Sequence, residues 1–385
     1  MSTYARLPVA FKSGRSVYLT DTEGKEYLDA ICGIAVCGLG HAHPDVARDI
    51  ADQAKTLIHT SNLYEIPHQT ELGEKLCTLA DMDKVFFSNS GAEANEAAIK
   101  LARLYGKQQG IERPNIIVAN GSFHGRTLAT LSATGNRKVQ AGFEPLVDGF
   151  IRVPYNDIEA IKKIAETNSD ITAILVEPVQ GEGGVVIPDA DYLSNIRSIC
   201  DENNWLMMLD EIQTGIGRTG KWFAHQHSSN AKPDVMTLAK ALGNGVPIGA
   251  CLASGKASDV FAPGNHGSTF GGNPLATRAA LTVLDIIETQ NLCNNAANMG
   301  KYFLEQFQQE LADIEGVADI RGHGLMIGIE LEKNCAELVT QALEYKLLIN
   351  VTADKTIRLL PALITTKEQA DSIIKTVSIL VKTFV

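Results

Sequence analysis

The chain contains no Cys-x-x-Cys pair, and its seven cysteines, at positions 32, 37, 77, 200, 251, 293 and 335, are scattered and odd in number. That pattern suggests neither a disulfide framework nor a zinc site, and a reducing cytoplasm is the expected compartment. Positive charge is also scarce. Lys and Arg total 34 against 45 Asp and Glu, a formal net charge of -11, with no basic patch, which disfavours nucleic acid or an anionic membrane as partner. No apolar run approaches the roughly 20 residues of a bilayer span. The first residues, Met1 to Pro8, show no basic segment leading into an apolar stretch, so neither export nor membrane insertion is expected. Repeats, low-complexity tracts and internal linkers are missing too. What remains is a 385-residue chain, 45% hydrophobic and 21% charged, long enough for a large core and two domains.

Between about residues 85 and 255, short apolar runs alternate with helix-period segments. Val85–Ser88, Ile116–Ala119, Ala173–Val176, Trp205–Leu209 and Val235–Leu238 are apolar on both faces, as strands covered on both sides of a parallel α/β sheet are. Ala92–Leu104, Ile158–Glu166 and Tyr192–Glu202 carry the 3.6-residue period of helices. Ser16–Asp29 reads as a hairpin turning at Glu23-Gly24-Lys25. A long helical zone from Pro274 to Glu310 is followed by mixed strands and helices, including Leu325–Glu330, Ile357–Leu360 and a last helix near Lys367–Val381. Neither flank makes a full core alone, so the two are expected to meet in one smaller α+β domain. The expected division is 1–50 and 276–385 for that domain with its connecting helix, and 51–275 for the large one.

Chemistry collects after the strands. Ser88-Asn89-Ser90-Gly91-Ala92-Glu93-Ala94-Asn95 follows a strand and opens a helix, where small residues and free N–H groups suit a phosphate; Ser90 and Glu93 read equally as a simple capping box. Phe123-His124-Gly125-Arg126 offers a ring to stack on a planar group and a guanidinium for a carboxylate, although an isolated surface pair would look the same. Glu177 to Gly184 is a glycine-rich loop, Asp210-Glu211-Ile212-Gln213 closes an apolar strand, and Ser268-Thr269 adds hydroxyls. His41, His43, His225 and His227 have His-x-His spacing, but no accompanying carboxylate or cysteine pattern supports a metal, and none is expected.

Lys240, among Ala239, Ala241 and Leu242, is the most informative residue. Burial disfavours its ammonium form and leaves an amine able to attack an aldehyde as a Schiff-base lysine. Asp210 would keep a pyridine nitrogen protonated, so the pair is what a pyridoxal phosphate enzyme needs. Alone, either residue is an ordinary helix start or strand end.

Together these segments resemble the class III aminotransferases of pyridoxal phosphate fold type I, over almost the whole chain and most specifically from Asp210 to Lys240. The resemblance implies an α/β large domain with a mostly parallel sheet and a smaller α+β domain from both termini. It implies pyridoxal 5'-phosphate as cofactor, with Lys240 and Asp210 catalytic. Ser90, Gly91 and Ala92 would take the phosphate, Phe123 and Ile212 the ring faces, and Gln213 the ring hydroxyl. Thr269 would reach the phosphate of a neighbouring subunit's cofactor, making a homodimer with shared sites. Arg126, Ser268, Glu182, Arg358 and Tyr4 would meet substrate, Glu182 covering Arg358 whenever glutamate's α-carboxylate is absent. The implied reaction moves the δ-amine of N2-acetyl-L-ornithine to 2-oxoglutarate, with succinyl-diaminopimelate as a further substrate; the alternatives are ornithine, succinylornithine or 4-aminobutyrate. Ile34, where ornithine enzymes of the family carry tyrosine, speaks against free ornithine. Cys37 stands where asparagine is expected.

Overall fold

The computed structural model describes residues 1–385. Its central sheet has seven strands: β1 (Lys84–Ser88), β2 (Asn115–Ala119), β3 (Phe150–Val153), β4 (Ile171–Val176), β5 (Leu206–Asp210), β6 (Val235–Leu238) and β7 (Gly249–Ala253). The spatial order is β1-β7-β6-β5-β4-β2-β3. Neighbours from β3 to β6 are parallel, and β7 runs antiparallel to both β6 and β1.

Period-2 alternation decides what each face buries. Ile116, Val118, Leu206 and Met208 point to one side, where they pack with Ala97, Ala98 and Ala102 of the helix Gly91–Gln108. Ile117, Ala119, Met207 and Leu209 point to the other and meet Leu193, Ile196 and Ile199 of the helix Tyr192–Glu202. Each such aliphatic side chain contributes roughly 1.5–3 kcal/mol when fully buried. The alanine-rich helix lies close to the sheet, and at Gly106 a Cβ would stand 2.4 Å from Thr172 Cγ2.

The five strands and three helices expected in the central region all form, and β3 and β7 add to them. β7, Gly-Ala-Cys-Leu-Ala, is built of small residues with little strand propensity; two strand neighbours hold it in place. The expected helical zone after Pro274 is two helices, Pro274–Thr289 and Leu292–Leu311. Asn291 breaks it at φ +53, a left-handed conformation that asparagine tolerates better than most residues.

The flanks do meet. Phe11–Arg15, Tyr18–Asp21 and Glu26–Asp29 form an antiparallel meander whose last strand pairs in parallel with Leu347–Leu348. A further antiparallel sheet holds Val317–His323, Met326–Leu331, Thr356–Leu359 and Asn350–Thr352, in that order. A continuous apolar core joins these sheets to the helices Pro274–Thr289, Leu292–Leu311 and Lys367–Phe384. No helix is long and apolar enough to cross a membrane.

Candidate active site

The carboxyl ends of β1, β2, β4, β5 and β6 open on one edge of the sheet, where open α/β folds bind ligands. A cavity of about 410 Å³ lies there. Its wall brings together Ser90, Gly91, Ala92, Phe123, Arg126, Glu182, Asp210, Ile212, Gln213 and Lys240, from segments far apart in the chain.

Asp210 ends the fully buried strand β5. Its Oδ2 accepts from Asn95 Nδ2 at 2.7 Å and from His124 Nδ1 at 2.8 Å, and its Oδ1 accepts from the Ile212 N–H at 3.1 Å. Asn95 is itself fixed, donating to His124 O and accepting from Thr237 Oγ1, both at 2.8 Å. A buried carboxylate so supplied with donors has its hydrogen-bonding capacity met and is held in one orientation.

Lys240 follows β6 with φ +47, a conformation that costs a non-glycine residue of order 1 kcal/mol or more and is concentrated at functional sites. Its side chain is partly buried and lines the cavity. Burial lowers its amine's pKa from 10.5 to about 8; Arg358 adds to the effect, while Glu182, Asp210 and Glu177 oppose it.

At the helix start, Ser90 Oγ accepts from the Glu93 N–H at 3.2 Å. The reciprocal bond of the expected capping box is shifted by one residue, since Glu93 Oε2 takes the N–H of Asn89, not that of Ser90, at 2.6 Å. The first-turn N–H groups of Gly91 and Ala92 have no helical partner and face the cavity end of the helix dipole, a ready anion site. Gly91 lets Ile212 pack closely, since a Cβ would lie 2.7 Å from Ile212 Cδ1 and push that side chain aside.

Phe123 is held by its N–H, which donates to Glu177 Oε2 at 3.0 Å, and the Arg126 guanidinium lies 5.7 Å from the Phe123 ring centre. Burial pushes the Glu177 carboxyl up to about 7, with Asp210 reinforcing and His124 opposing.

Arg358 is buried, in the strand Thr356–Leu359, and stands behind the cavity wall where Glu182 and Gln213 cover it. Arg358 Nη1 donates to Glu182 Oε1 at 2.6 Å and to Gln213 Oε1 at 3.2 Å. Burial alone would raise the Glu182 carboxyl, but the Arg358 charge and hydrogen bond hold it below its ordinary value. The loop reaches this position because Gly181 has no Cβ, which would stand 2.1 Å from Gln213 Oε1.

Other expected residues lie elsewhere. Thr269 lines a separate depression with Ser88, Glu93 and Glu96. Ser268 Oγ accepts from Asn89 Nδ2 at 3.2 Å, outside the cavity, and Tyr4 is 79% exposed. His41 pairs with Asp29 at 2.8 Å, His225 with Glu211 at 2.9 Å, and the His227 ring lies against that of His323 at 4.1 Å, tilted by 48°. His124 and Glu177 fell inside segments singled out from sequence but carried no assignment there. Asn95 likewise closes the Ser88–Asn95 segment without an assigned role, whereas Asn350 carried no signal: it is an edge-strand residue eight before Arg358.

A helix start free to bind phosphate, a fixed carboxylate, an apolar slot between Phe123 and Ile212, and a cavity-lining amine fit a phosphorylated pyridine aldehyde. The family model described as Aminotransferase class-III matches residues 2–381. Acetylornithine aminotransferase of Nitrosomonas europaea is 60% identical over 384 residues, covering 100% of this chain and 98% of its own. The Aquifex aeolicus protein of the same name is 50% identical, covering 96% of both. Among solved structures, ornithine aminotransferase from Toxoplasma gondii superposes with TM-score 0.95 at 31% identity, covering 99% of this chain and 91% of that one. N-acetylornithine aminotransferase from Stenotrophomonas maltophilia gives TM-score 0.86 at 34% identity, covering 100% and 98%. The chain therefore belongs to the class III aminotransferases, enzymes that use pyridoxal phosphate.

Proposed function

We propose that this aminotransferase transfers the δ-amine of N2-acetyl-L-ornithine to 2-oxoglutarate, giving N-acetyl-L-glutamate 5-semialdehyde and L-glutamate, in the cytoplasm. The names of its relatives support the substrate, and the Glu182–Arg358 pair at 2.6 Å carries the reading. An enzyme that alternates between two donors must accept one whose reacting carbon bears a carboxylate and one whose reacting carbon does not. A fixed buried arginine would reject the second; an arginine covered by a carboxylate on a glycine-rich loop accepts both, because its charge is always balanced.

Bound pyridoxal phosphate supplies an aldehyde to carry the amino group and a ring to accept the electron pair released at the reacting carbon. Gly91, Ala92 and the capped helix start would hold its phosphate, Phe123 and Ile212 its ring, and Gln213 its hydroxyl. Asp210 holds the proton at the pyridine nitrogen, itself positioned by Asn95 and His124. Lys240 would take the proton from the substrate's reacting carbon and return it once the electron pair has moved. Arg126 receives the carboxylate remote from the reacting carbon; Ser268 and Tyr4 lie outside this chain's own cavity.

The same reading includes a homodimer in which Thr269 serves the partner's cofactor. It is supported by the placement of Thr269 outside its own cavity and by the exposed apolar residues Leu57, Ile58, Leu63, Tyr64 and Phe270. These form one surface, since His59 packs on Phe270 and Asn62 donates to Ser268 O and Gly271 O. Residues 51–275 then make the large domain, with 1–50 and 276–385 forming the smaller one and its connecting helix.

The test is a single half-reaction without 2-oxoglutarate. Visible absorbance of the bound cofactor should be lost rapidly with N2-acetyl-L-ornithine, at concentrations where ornithine and 4-aminobutyrate act slowly. Equal rates with ornithine would refute the substrate while leaving the family intact.

A further inference from the structure

All three guanidinium nitrogens of Arg358 are engaged. Nη1 faces Glu182 and Gln213, while Nε and Nη2 both donate to one atom, Asn350 Oδ1, at 3.2 and 2.7 Å. Asn350 lies directly opposite Arg358 in the register of two hydrogen-bonded strands, so this contact is built into the sheet. Glu182, in contrast, hangs on a loop with glycine at 181, 183 and 184, the last at φ +113. Of the three partners, only the one on the loop is charged.

We infer that Asn350 is a specificity-determining residue that keeps the charge of Arg358 available to a second carboxylate. The inference rests on the reading of Glu182 and Arg358 as an exchangeable pair. A carboxamide oxygen can satisfy two donors of a buried guanidinium and hold it in place when Glu182 departs, yet it removes none of the positive charge. That charge must then be balanced by the incoming substrate, because a buried ion without a partner is costly. A carboxylate at position 350 would orient the arginine equally well but neutralise it permanently, and the arriving dicarboxylate would bring surplus negative charge. Occupation of the Nε and Nη2 edge also directs the substrate carboxylate to Nη1, the nitrogen that Glu182 vacates. The exchange is one for one.

The decisive variants are Asn350→Asp and Asn350→Ala. Glutarate, a dicarboxylate without an amino group, is titrated by calorimetry into each variant in both cofactor-loaded and cofactor-free form, and KM and kcat are then measured for each half-reaction. Asn350→Asp is expected to weaken glutarate roughly tenfold or more in both forms and to raise KM for 2-oxoglutarate far more than it changes kcat. Asn350→Ala adds no charge and frees the Nε and Nη2 edge, so glutarate should bind within about threefold of the parent. Equal weakening by both substitutions overturns the inference, since the effect would then be geometric. So does parent-like binding in Asn350→Asp, and a tenfold loss in the alanine variant is sufficient by itself if the aspartate variant does not fold. Arg358→Gln separates the two layers: if glutarate still binds it at parent strength, the exchangeable-pair reading fails, not only the role of Asn350.

Discussion

The amine of Lys240 should declare its environment before any substrate is added. Burial takes it from 10.5 to about 8. At 1.36 kcal/mol per pH unit, that withholds about 3 kcal/mol from the charged form and leaves about a tenth of the lysine as free amine at pH 7, some 300-fold more than an unperturbed lysine. The perturbation is pH during reloading of the cofactor-free protein with pyridoxal phosphate, followed by stopped-flow absorbance and normalised to the same reaction of a free lysine derivative. Relative to the free derivative, whose amine titrates near 10.5, the rate should hold a constant excess below about pH 8 and lose it about tenfold per pH unit from about 8 to 10.5, so the loading midpoint is read at about 8. Two substitutions must move the midpoint oppositely, because Glu182 raises the amine and Arg358 lowers it: Glu182→Gln should shift it down and Arg358→Gln up. Stability gives an independent check. With the folded-state value below the unfolded one, the unfolded chain holds more protons between about pH 8 and 10.5, so the cofactor-free protein gains stability as pH rises through that window. Lys240→Met should flatten that rise. A loading midpoint near 10, or shifts of the same sign in the two variants, would refute the burial argument.

Gly91→Ala should separate folding from binding: helix propensity favours alanine by up to about 1 kcal/mol, yet the new Cβ meets Ile212 at 2.7 Å, so cofactor retention in dialysis should fall without a matching loss in thermal midpoint. Asn95→Ala strips donors from both Asp210 and His124 O and an acceptor from Thr237, so urea unfolding should show a loss of about 1–3 kcal/mol. Ser90→Ala removes a helix cap and should cost about 1 kcal/mol by the same assay. Arg358→Gln should depress the 2-oxoglutarate half-reaction far more than the acetylornithine half, measured by single-turnover absorbance; equal depression would argue against the exchange.

The central strands were legible because burial on both faces forces continuous apolar runs, and such runs have few other uses. β7 was not: its Gly249-Ala250 start follows from close approach to neighbours, where a Cβ at Gly249 would stand 2.3 Å from Ser90 O, and that constraint belongs to the assembled sheet. The same distinction runs through the site. Lys240, Asp210 and the Gly91 turn are each ordinary alone and became legible as a set, because together they suit one chemistry. Asn95 and Asn350 are ordinary asparagines until folding puts one under Asp210 and the other beside Arg358. Their importance lies in pairings more than a hundred residues apart in one case, and across a strand register in the other.

The pairing of Leu28 with Leu347 and of Asp29 with Leu348 has a consequence for biosynthesis. At roughly 5–20 residues per second, the ribosome delivers the partner strand tens of seconds after the first hairpin has emerged. During that interval the amino-terminal meander has no neighbour on its inner edge, while the central sheet, whose strands all lie between residues 84 and 253, can already assemble. Arg358, proposed above to meet substrate, is made later still. The strands that line the cavity are therefore complete before Arg358 and the Leu347–Leu348 strand are made, and the unpaired strand edge near the start is the segment most in need of protection while it waits.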